Sequence, residues 1–398
     1  MNVSLARQGR VHRPVPALPP RSWLGMLGGG QLGRMFAQAA QALGYRVCVL
    51  DPDEASPAGA VAEQHLRAGY EDAAALDELA RLCPAVSTEF ENVPAASLER
   101  LAALGVVSPS AAAVAVAQDR IDEKAFIRQC GIATAPYAVV RTVDDLQQLP
   151  DDLFPGILKA ARLGYDGKGQ ARVATRQEAL QAFRAFGEVA CVLEQQLALA
   201  AELSVLLARG FDGAIRAWPI AQNVHRAGIL HTSQIPAVLP AAACAQAQEA
   251  ARTLAERLDY VGVLCVEFFL LDDGQVVVNE MAPRPHNSGH WTLDASVTSQ
   301  FEQQARVLAG LPLGDTHQLA PALMLNLLGD VWFDSPSSSQ PREPDWAALF
   351  ADPRAKLHLY GKAQPRRARK MGHITFVADT AAEAQAACAR AATLLGIA

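Results

Sequence analysis

The chain has 398 residues, 51% of them apolar and 19% charged, with 28 glycines and 24 prolines spread along its length. A single core stops growing near about 250–300 residues, so this length predicts two or three domains, and the composition excludes extensive disorder. A formal net charge of −6 excludes the electrostatic footprint needed to wrap nucleic acid, though a local basic patch can still hold a small phosphorylated ligand.

Met1 to Arg21 carries prolines and arginines without a continuous apolar run, so residues 1–21 are expected to form a disordered extension and not a signal peptide. From Trp23 the pattern is α/β: an apolar run Trp23–Leu27, a glycine cluster Gly28–Gly30, a helical stretch Leu32–Leu43 and a second apolar run Arg46–Leu50. Ala73–Leu82 and Ser97–Leu104 read as helices, Ala85–Thr88 and Val106–Ser108 as extended, which together predict a small parallel sheet in a domain of residues 22–115. A helix over Asp119–Cys130 opens a second domain, 116–315, with a helix at Arg176–Phe186, another at Ala241–Leu258 and a hairpin at Gly262–Glu280. Strands at Ala322–Leu328, Ala355–Leu359 and His373–Val377, with a Pro/Ser-rich loop at Ser335–Pro344, predict a small β-rich third domain, 316–398. The seven cysteines form no C-x-x-C pair, and no run reaches the roughly 18 apolar residues of a membrane span, so a reducing, cytoplasmic setting without membrane is expected.

Gly28-x-Gly30-x-x-Gly33 at a strand-to-helix turn, with Asp51 ending the next strand, formally completes a dinucleotide fingerprint. The geometry itself requires only a tight turn and a helix N-terminus open to an anion or polar ligand. Asp273-Gly274 predicts a two-residue hairpin loop. Pairing Asp272 with Gln275 then sets Glu267 opposite Glu280, two like charges about 4.5–5.5 Å apart on apolar strands, which require a cation or raised pKa values. A few hard oxygen ligands, with Asn279 adjacent, suit Mg²⁺ shared with substrate phosphates. Lys159 ends an apolar strand before Gly164-Tyr165-Asp166-Gly167-Lys168-Gly169, a glycine flap able to cover phosphates but not a Walker A. Downstream lie Arg284, His286, Asn287 and His290 in one loop, then Lys362, Arg366, Arg367, Arg369 and Lys370 in a basic cluster. A zinc site on His286 and His290 is an alternative, disfavoured because the intervening residues do not favour a helix.

The strings GGGQLGRM (Gly28–Met35), TEFENV (Thr88–Val93), DRIDEKAF (Asp119–Phe126), GYDGKGQ (Gly164–Gln170), NEMAPRPHNSGHWT (Asn279–Thr292) and GKAQPRRARKMGH (Gly361–His373) go further. With them the chain resembles the ATP-grasp ligases and, within these, the 5-(carboxyamino)imidazole ribonucleotide synthases of purine biosynthesis. The resemblance implies an ATP-grasp fold with a Rossmann-like first domain, and ATP- and bicarbonate-dependent carboxylation of 5-aminoimidazole ribonucleotide. It implies ATP contacts at Arg120, Lys159, Gly164, Tyr165, Asp166, Gly167, Lys168, Gly169, Gln170, Glu194, Gln195, Gln196, Leu197, Glu202, His225, Asn279 and Glu280. Magnesium is implied on Glu267 and Glu280, the ribonucleotide at Gln31, Leu32, Glu89, Lys362, Arg369 and Lys370, and catalytic roles at Tyr165, Asp166, Lys168, Arg284, His286 and Asn287. A homodimer is implied as well. Ala368 departs from the glycine expected in the basic motif. The competing readings are a formate-dependent glycinamide ribonucleotide transformylase, a nicotinamide-dependent oxidoreductase resting on the first glycine turn, and a catalytically dead nucleotide-binding regulator.

Overall fold

The computed structural model describes residues 15–164, 169–335 and 337–397. Among these residues three sheets form. The first is five-stranded and parallel, in the spatial order Gln64–Leu66, Arg46–Leu50, Trp23–Leu27, Ala85–Thr88, Val106–Val107. Its strand order reverses between Trp23–Leu27 and Ala85–Thr88, the point at which open α/β sheets leave a crevice beyond their carboxyl ends. The glycine turn, the helix Gln31–Ala42 and Glu89 all meet there.

The apolar stripe of Gln31–Ala42 packs on the sheet and also on the helix Gln300–Leu308, so Phe36 and Met35 share one core with Phe301, Leu308 and Tyr360. Of the expected disordered extension, residues 1–14 lie outside the described residues, whereas residues 15–21 run along this domain and Leu18 packs against its core. The Leu18 N–H donates to the Ala309 carbonyl at 2.8 Å, and Tyr45 Oη donates to the Leu18 carbonyl at 2.9 Å. Prolines here remove N–H donors without preventing an extended strap whose remaining backbone groups find partners.

The second sheet is antiparallel, in the order Tyr137–Val140, Cys191–Gln195, Gly156–Ala160, Gln170–Val173. The third is nine-stranded: Val276–Ala282, Gly262–Leu271, Leu199–Arg209, Ala221–Arg226, Ile229–Ile235, Ala322–Leu328, Lys370–Val377 and Ala355–Leu359 follow one another, and Ile215–Ala217 pairs with Leu199–Arg209. The carboxyl-terminal strands thus extend the same sheet through Ile229–Ile235. The helix Ala381–Leu394, started by a Thr380/Glu383 capping box, covers its end. Among the described residues no helix is long and apolar enough to cross a membrane.

The hairpin reaches its expected pairing by an unexpected route. Its loop has three residues, because Leu271 and Gln275 close it and Gly274 takes φ +86°. This shifts the register by one, so Phe268 faces Val278. A bulge at Asn279 then restores it, and Glu267 faces Glu280 as the sequence predicts.

Candidate active site

A cavity of about 960 Å³ lies between the two antiparallel sheets and opens towards the carboxyl ends of the parallel one. At its floor the hairpin brings Glu267 and Glu280 together. The bulge adds Asn279 to the same side, with Nδ2 donating to Glu267 Oε2 at 3.5 Å and Oδ1 buried without a partner. Arg120 Nη1 donates to Glu280 Oε2 at 2.9 Å. Burial, reinforced by the Glu280 charge, pushes Glu267 up; burial opposes ionisation of Glu280 too, but Arg120 and Lys159 hold it well below the usual range. Among the described residues no cluster of three His, Cys, Asp or Glu side chains could hold a metal, so the cation donors offered here are two carboxylates and an amide oxygen.

On the small-sheet side, Lys159 Nζ donates to Glu194 Oε2 at 3.1 Å, and the fully buried Lys124 lies 3.1 Å from Glu194 Oε1. Burial lowers the Lys159 pKa against the pull of Glu194. Glu194, also disfavoured by burial, is held ionised by the two ammonium groups. Gly164, Gln170, Glu202 and His225 line the cavity as well, the last two joined by a 2.5 Å ion pair. Glu194, Gln195, Gln196, Leu197 and Gly169 stand behind or beside the wall and do not line it. Tyr165, Asp166, Gly167 and Lys168 lie outside the described residues.

The first domain contributes Gln31, Leu32 and Glu89 to the same cavity. Glu89 accepts the N–H groups of Gly30 and Gly33, each at 2.6 Å, so a carboxylate of the chain itself occupies the N-terminus of Gln31–Ala42. Burial raises its pKa to about 7. A side chain at position 30 would meet Glu89 Oε1 at 2.4 Å, and this accounts for the glycine there. Asp51 accepts Gly29 N–H at 2.7 Å and Tyr70 Oη at 2.6 Å. Both parts of the dinucleotide fingerprint are therefore committed inside the protein, which removes the basis of the oxidoreductase reading.

From the loop after the hairpin, Arg284, His286 and Asn287 line the cavity. Burial opposes the Arg284 charge, but Glu91 Oε2 at 2.5 Å raises its pKa above the usual range. Burial, with Arg284 and Lys370 nearby, lowers His286 to about 3. Both side-chain polar atoms of Asn287 are buried without partners. His290 points away into the core, where Gln300 Nε2 lies 3.0 Å from its Nδ1 and Phe301 and His373 pack on its ring. The zinc alternative fails on that divergence.

Of the basic cluster, only Lys370 lines the main cavity. Lys362 donates to the Lys370 carbonyl at 2.6 Å and lines a separate cavity of about 330 Å³ with Trp332 and Arg342. Arg369 donates to the Gln364 carbonyl at 3.0 Å, and Arg367 is tied to the Ser335 and Ser338 carbonyls. Ala368 adopts φ +61°, the left-handed region that accounts for glycine being expected there. Sequence reasoning assigned no role to Glu91, Glu123 or Lys124. Glu123 is buried, accepts the Met281 N–H at 2.5 Å, and is pushed up to about 8 by burial and by Glu280. The helix Arg120–Gln129 is polar overall, with Glu123 and Lys124 buried beside Ile127, so hydrophobic periodicity offered no signal for them.

Two antiparallel sheets closing on a lysine and a hairpin carboxylate pair define a nucleotide-dependent ligase of the ATP-grasp class. Profile matches agree: the ATP-grasp domain over residues 125–301, the ribonucleotide synthetase preATP-grasp domain over 22–118, and the phosphoribosylaminoimidazole carboxylase C-terminal domain over 322–387. The N5-carboxyaminoimidazole ribonucleotide synthase of Brucella melitensis is 45% identical over 91% of this chain and 98% of its own. That of Bacillus subtilis is 41% identical over 90% and 92%. An ADP complex of N5-carboxyaminoimidazole ribonucleotide synthetase superposes with a TM-score of 0.88 at 36% identity, covering 96% of this chain and 98% of that one. The Aspergillus clavatus N5-carboxyaminoimidazole synthase with ADP and 5-aminoimidazole ribonucleotide does so at 0.84 and 30%, covering 94% and 99%. The chain belongs to the N5-carboxyaminoimidazole ribonucleotide synthase family.

Proposed function

We propose that this chain carboxylates the exocyclic amine of 5-aminoimidazole ribonucleotide with ATP and bicarbonate, releasing ADP and phosphate. The observation that carries the reading is Glu267 facing Glu280 across the bulged hairpin, with the unpartnered Asn279 Oδ1 beside them and Lys159 across one cavity that also reaches Gln31 and Glu89. Two carboxylates and an amide oxygen fit Mg²⁺ shared with nucleotide phosphates, where it would offset phosphate charge.

The ATP phosphates lie between Lys159 and the hairpin. A bicarbonate oxygen attacks the γ-phosphorus and the bond to the β–γ bridging oxygen breaks, giving ADP and carboxyphosphate. The amine nitrogen then attacks the carboxyl carbon, directly or after release of CO₂. Phosphate leaves with the carbon–oxygen bonding electrons and the amine loses one proton. Asp166 takes that proton in this scheme, and Tyr165 and Lys168 keep the catalytic roles that the family resemblance implies. Arg284 and the open polar atoms of Asn287 hold the bicarbonate and carboxyphosphate oxygens. Glu89, Gln31 and Leu32 hold the ribonucleotide, with its phosphate directed to Lys370 and, after rearrangement of the basic loop, to Lys362 and Arg369. The family resemblance further supports a cytoplasmic homodimer.

The test is ADP release with Mg²⁺ and bicarbonate, with and without 5-aminoimidazole ribonucleotide. Stimulation by the ribonucleotide is expected. Release that instead requires formate and glycinamide ribonucleotide would replace this reading with the transformylase.

A further inference from the structure

His286 follows the hairpin, and its ring has two unlike sides. Nε2 lies 3.7 Å from Glu267 Oε1. Nδ1 is turned towards Ser288, whose backbone N–H donates to it at 3.3 Å and whose Oγ lies 2.9 Å away. A backbone N–H only donates and its direction is fixed, so Nδ1 is the bare nitrogen and the uncharged ring carries its proton on Nε2.

From that fixed point the polarity of a longer chain follows. Ser288 has one hydroxyl proton, and the bare Nδ1 takes it. Ser288 Oγ is left to accept from Ser204 Oγ at 2.8 Å and from the Cys265 thiol at 3.8 Å. Ser204, having given its proton, accepts from Asn223 Nδ2 at 3.1 Å, and Asn223 Oδ1 accepts from the Ser233 hydroxyl at 2.8 Å. Every link runs the same way and ends on the imidazole.

Ser204, Asn223 and Ser233 sit on three successive strands of the large sheet, Leu199–Arg209, Ala221–Arg226 and Ile229–Ile235. With Ser288 they are at most 4% exposed. None of the four lines the cavity, whereas His286 does. Buried hydroxyl and amide groups cost stability unless partnered, and apolar side chains would fill a sheet interior without that requirement.

We infer that Ser233, Asn223, Ser204 and Ser288 are positioning residues whose one-way hydrogen-bond chain adds to the Ser288 backbone N–H in holding His286 in the Nε2–H tautomer, so that it presents a hydrogen-bond donor to the oxyanion in the cavity. The identity of that anion, bicarbonate passing to carboxyphosphate, rests on the carboxylation reading; the tautomer is a property of the protein without ligand. A donor there stabilises charge developing on the transferred groups, and a bare Nε2 would repel it.

The test uses full-length protein with ¹⁵N-labelled histidine. Long-range ¹H–¹⁵N spectra report which ring nitrogen is protonated, and the signal lost in His286→Asn assigns the ring. Wild type is expected to show Nε2 protonated and Nδ1 bare. Asn223→Asp replaces the donor to Ser204 by an acceptor. Ser204 then turns to position 223, Ser288 turns to Ser204, and the His286 signal moves towards the Nδ1–H form. The kcat for ADP release falls about tenfold, with the KM for ATP changed less than about twofold. Circular dichroism and ADP binding check the fold, and Ser288→Ala serves if Asn223→Asp does not fold: it leaves the backbone N–H as the only donor to Nδ1, so the ring keeps its Nε2–H tautomer while the Nδ1 signal moves towards that of an imine nitrogen without a hydroxyl partner. A wild-type ring protonated on Nδ1 would overturn the inference, as would a His286 ring signal unchanged in both variants, or a tautomer reversed by Asn223→Asp at unchanged kcat. Failure of the carboxylation reading is separately visible, as wild type that keeps the Nε2–H tautomer but shows no bicarbonate-dependent ADP release.

Discussion

The glycine turn after Trp23–Leu27 and the hairpin Gly262–Ala282 each bring a glutamate raised by burial to the same cavity, Glu89 and Glu267, with opposite supplies of hydrogen-bond donors. At the turn, Glu89 receives two backbone N–H groups at 2.6 Å, and Asp51 receives one backbone N–H and a phenol. At the hairpin, Glu267 has His286 only at 3.7 Å and Asn279 Nδ2 only at 3.5 Å, while Glu280 stands directly opposite it. A motif whose donors and acceptors already satisfy one another stands without a ligand, and one left with opposed like charges calls for a cation.

Neutralising the hairpin should break the contrast most severely. Glu280→Gln or Glu267→Gln is expected to lower Mg²⁺-dependent ADP release by about 10³-fold; Glu267→Gln should leave thermal stability unchanged or raised because a like-charge pair has gone, whereas Glu280→Gln should lower it because the buried Arg120 loses its partner. Undiminished turnover would place the cation elsewhere. The turn should respond the other way. Glu89→Gln leaves one oxygen to accept from Gly30 or Gly33 and sets its NH2 against the other N–H, so urea unfolding is expected to show a loss of about 1–3 kcal/mol while ADP affinity is kept. A smaller loss, about 1 kcal/mol, is expected for Asp51→Asn, with no NADH binding by fluorescence titration in either protein. Bound NADH would show that the turn is not filled from within.

Glu123 gives the smallest effect and a pH signature. Its folded pKa, about 8, is raised, so folding favours the protonated form: its stabilising contribution is complete below the unfolded carboxyl range and is lost as pH rises through about 8. Glu123→Gln can still accept the Met281 N–H and cannot ionise. It is expected to leave activity within about twofold and to flatten the fall in melting temperature between about pH 5 and 8. An unflattened fall would assign the pH dependence to other groups.

Much of this was legible in the sequence because it is local. The strand Trp23–Leu27, the helix after it and the Glu267/Glu280 pairing all follow from spacing within one element pair. The pairing was reached by cancellation, since the two-residue loop expected at Asp273-Gly274 is a three-residue loop and the bulge at Asn279 compensates for it. What stayed hidden depends on distant partners. Nothing near Lys124 in sequence announces Glu194, 70 residues on, as its partner. Nor does Ile229–Ile235 announce that Ala322–Leu328 will extend its sheet. The glycine turn misled because Glu89, which fills it, arrives from another strand.

The central claim is phosphoryl transfer to bicarbonate followed by carboxyl transfer to the amine. It is tested most directly with ¹⁸O-labelled bicarbonate in a turnover mixture containing ATP, Mg²⁺ and 5-aminoimidazole ribonucleotide. The account predicts that the released phosphate carries one labelled oxygen from bicarbonate and that the ribonucleotide gains the carboxyl group. Unlabelled phosphate, formed at the same rate with or without the ribonucleotide, would mean that water is the acceptor and would contradict it.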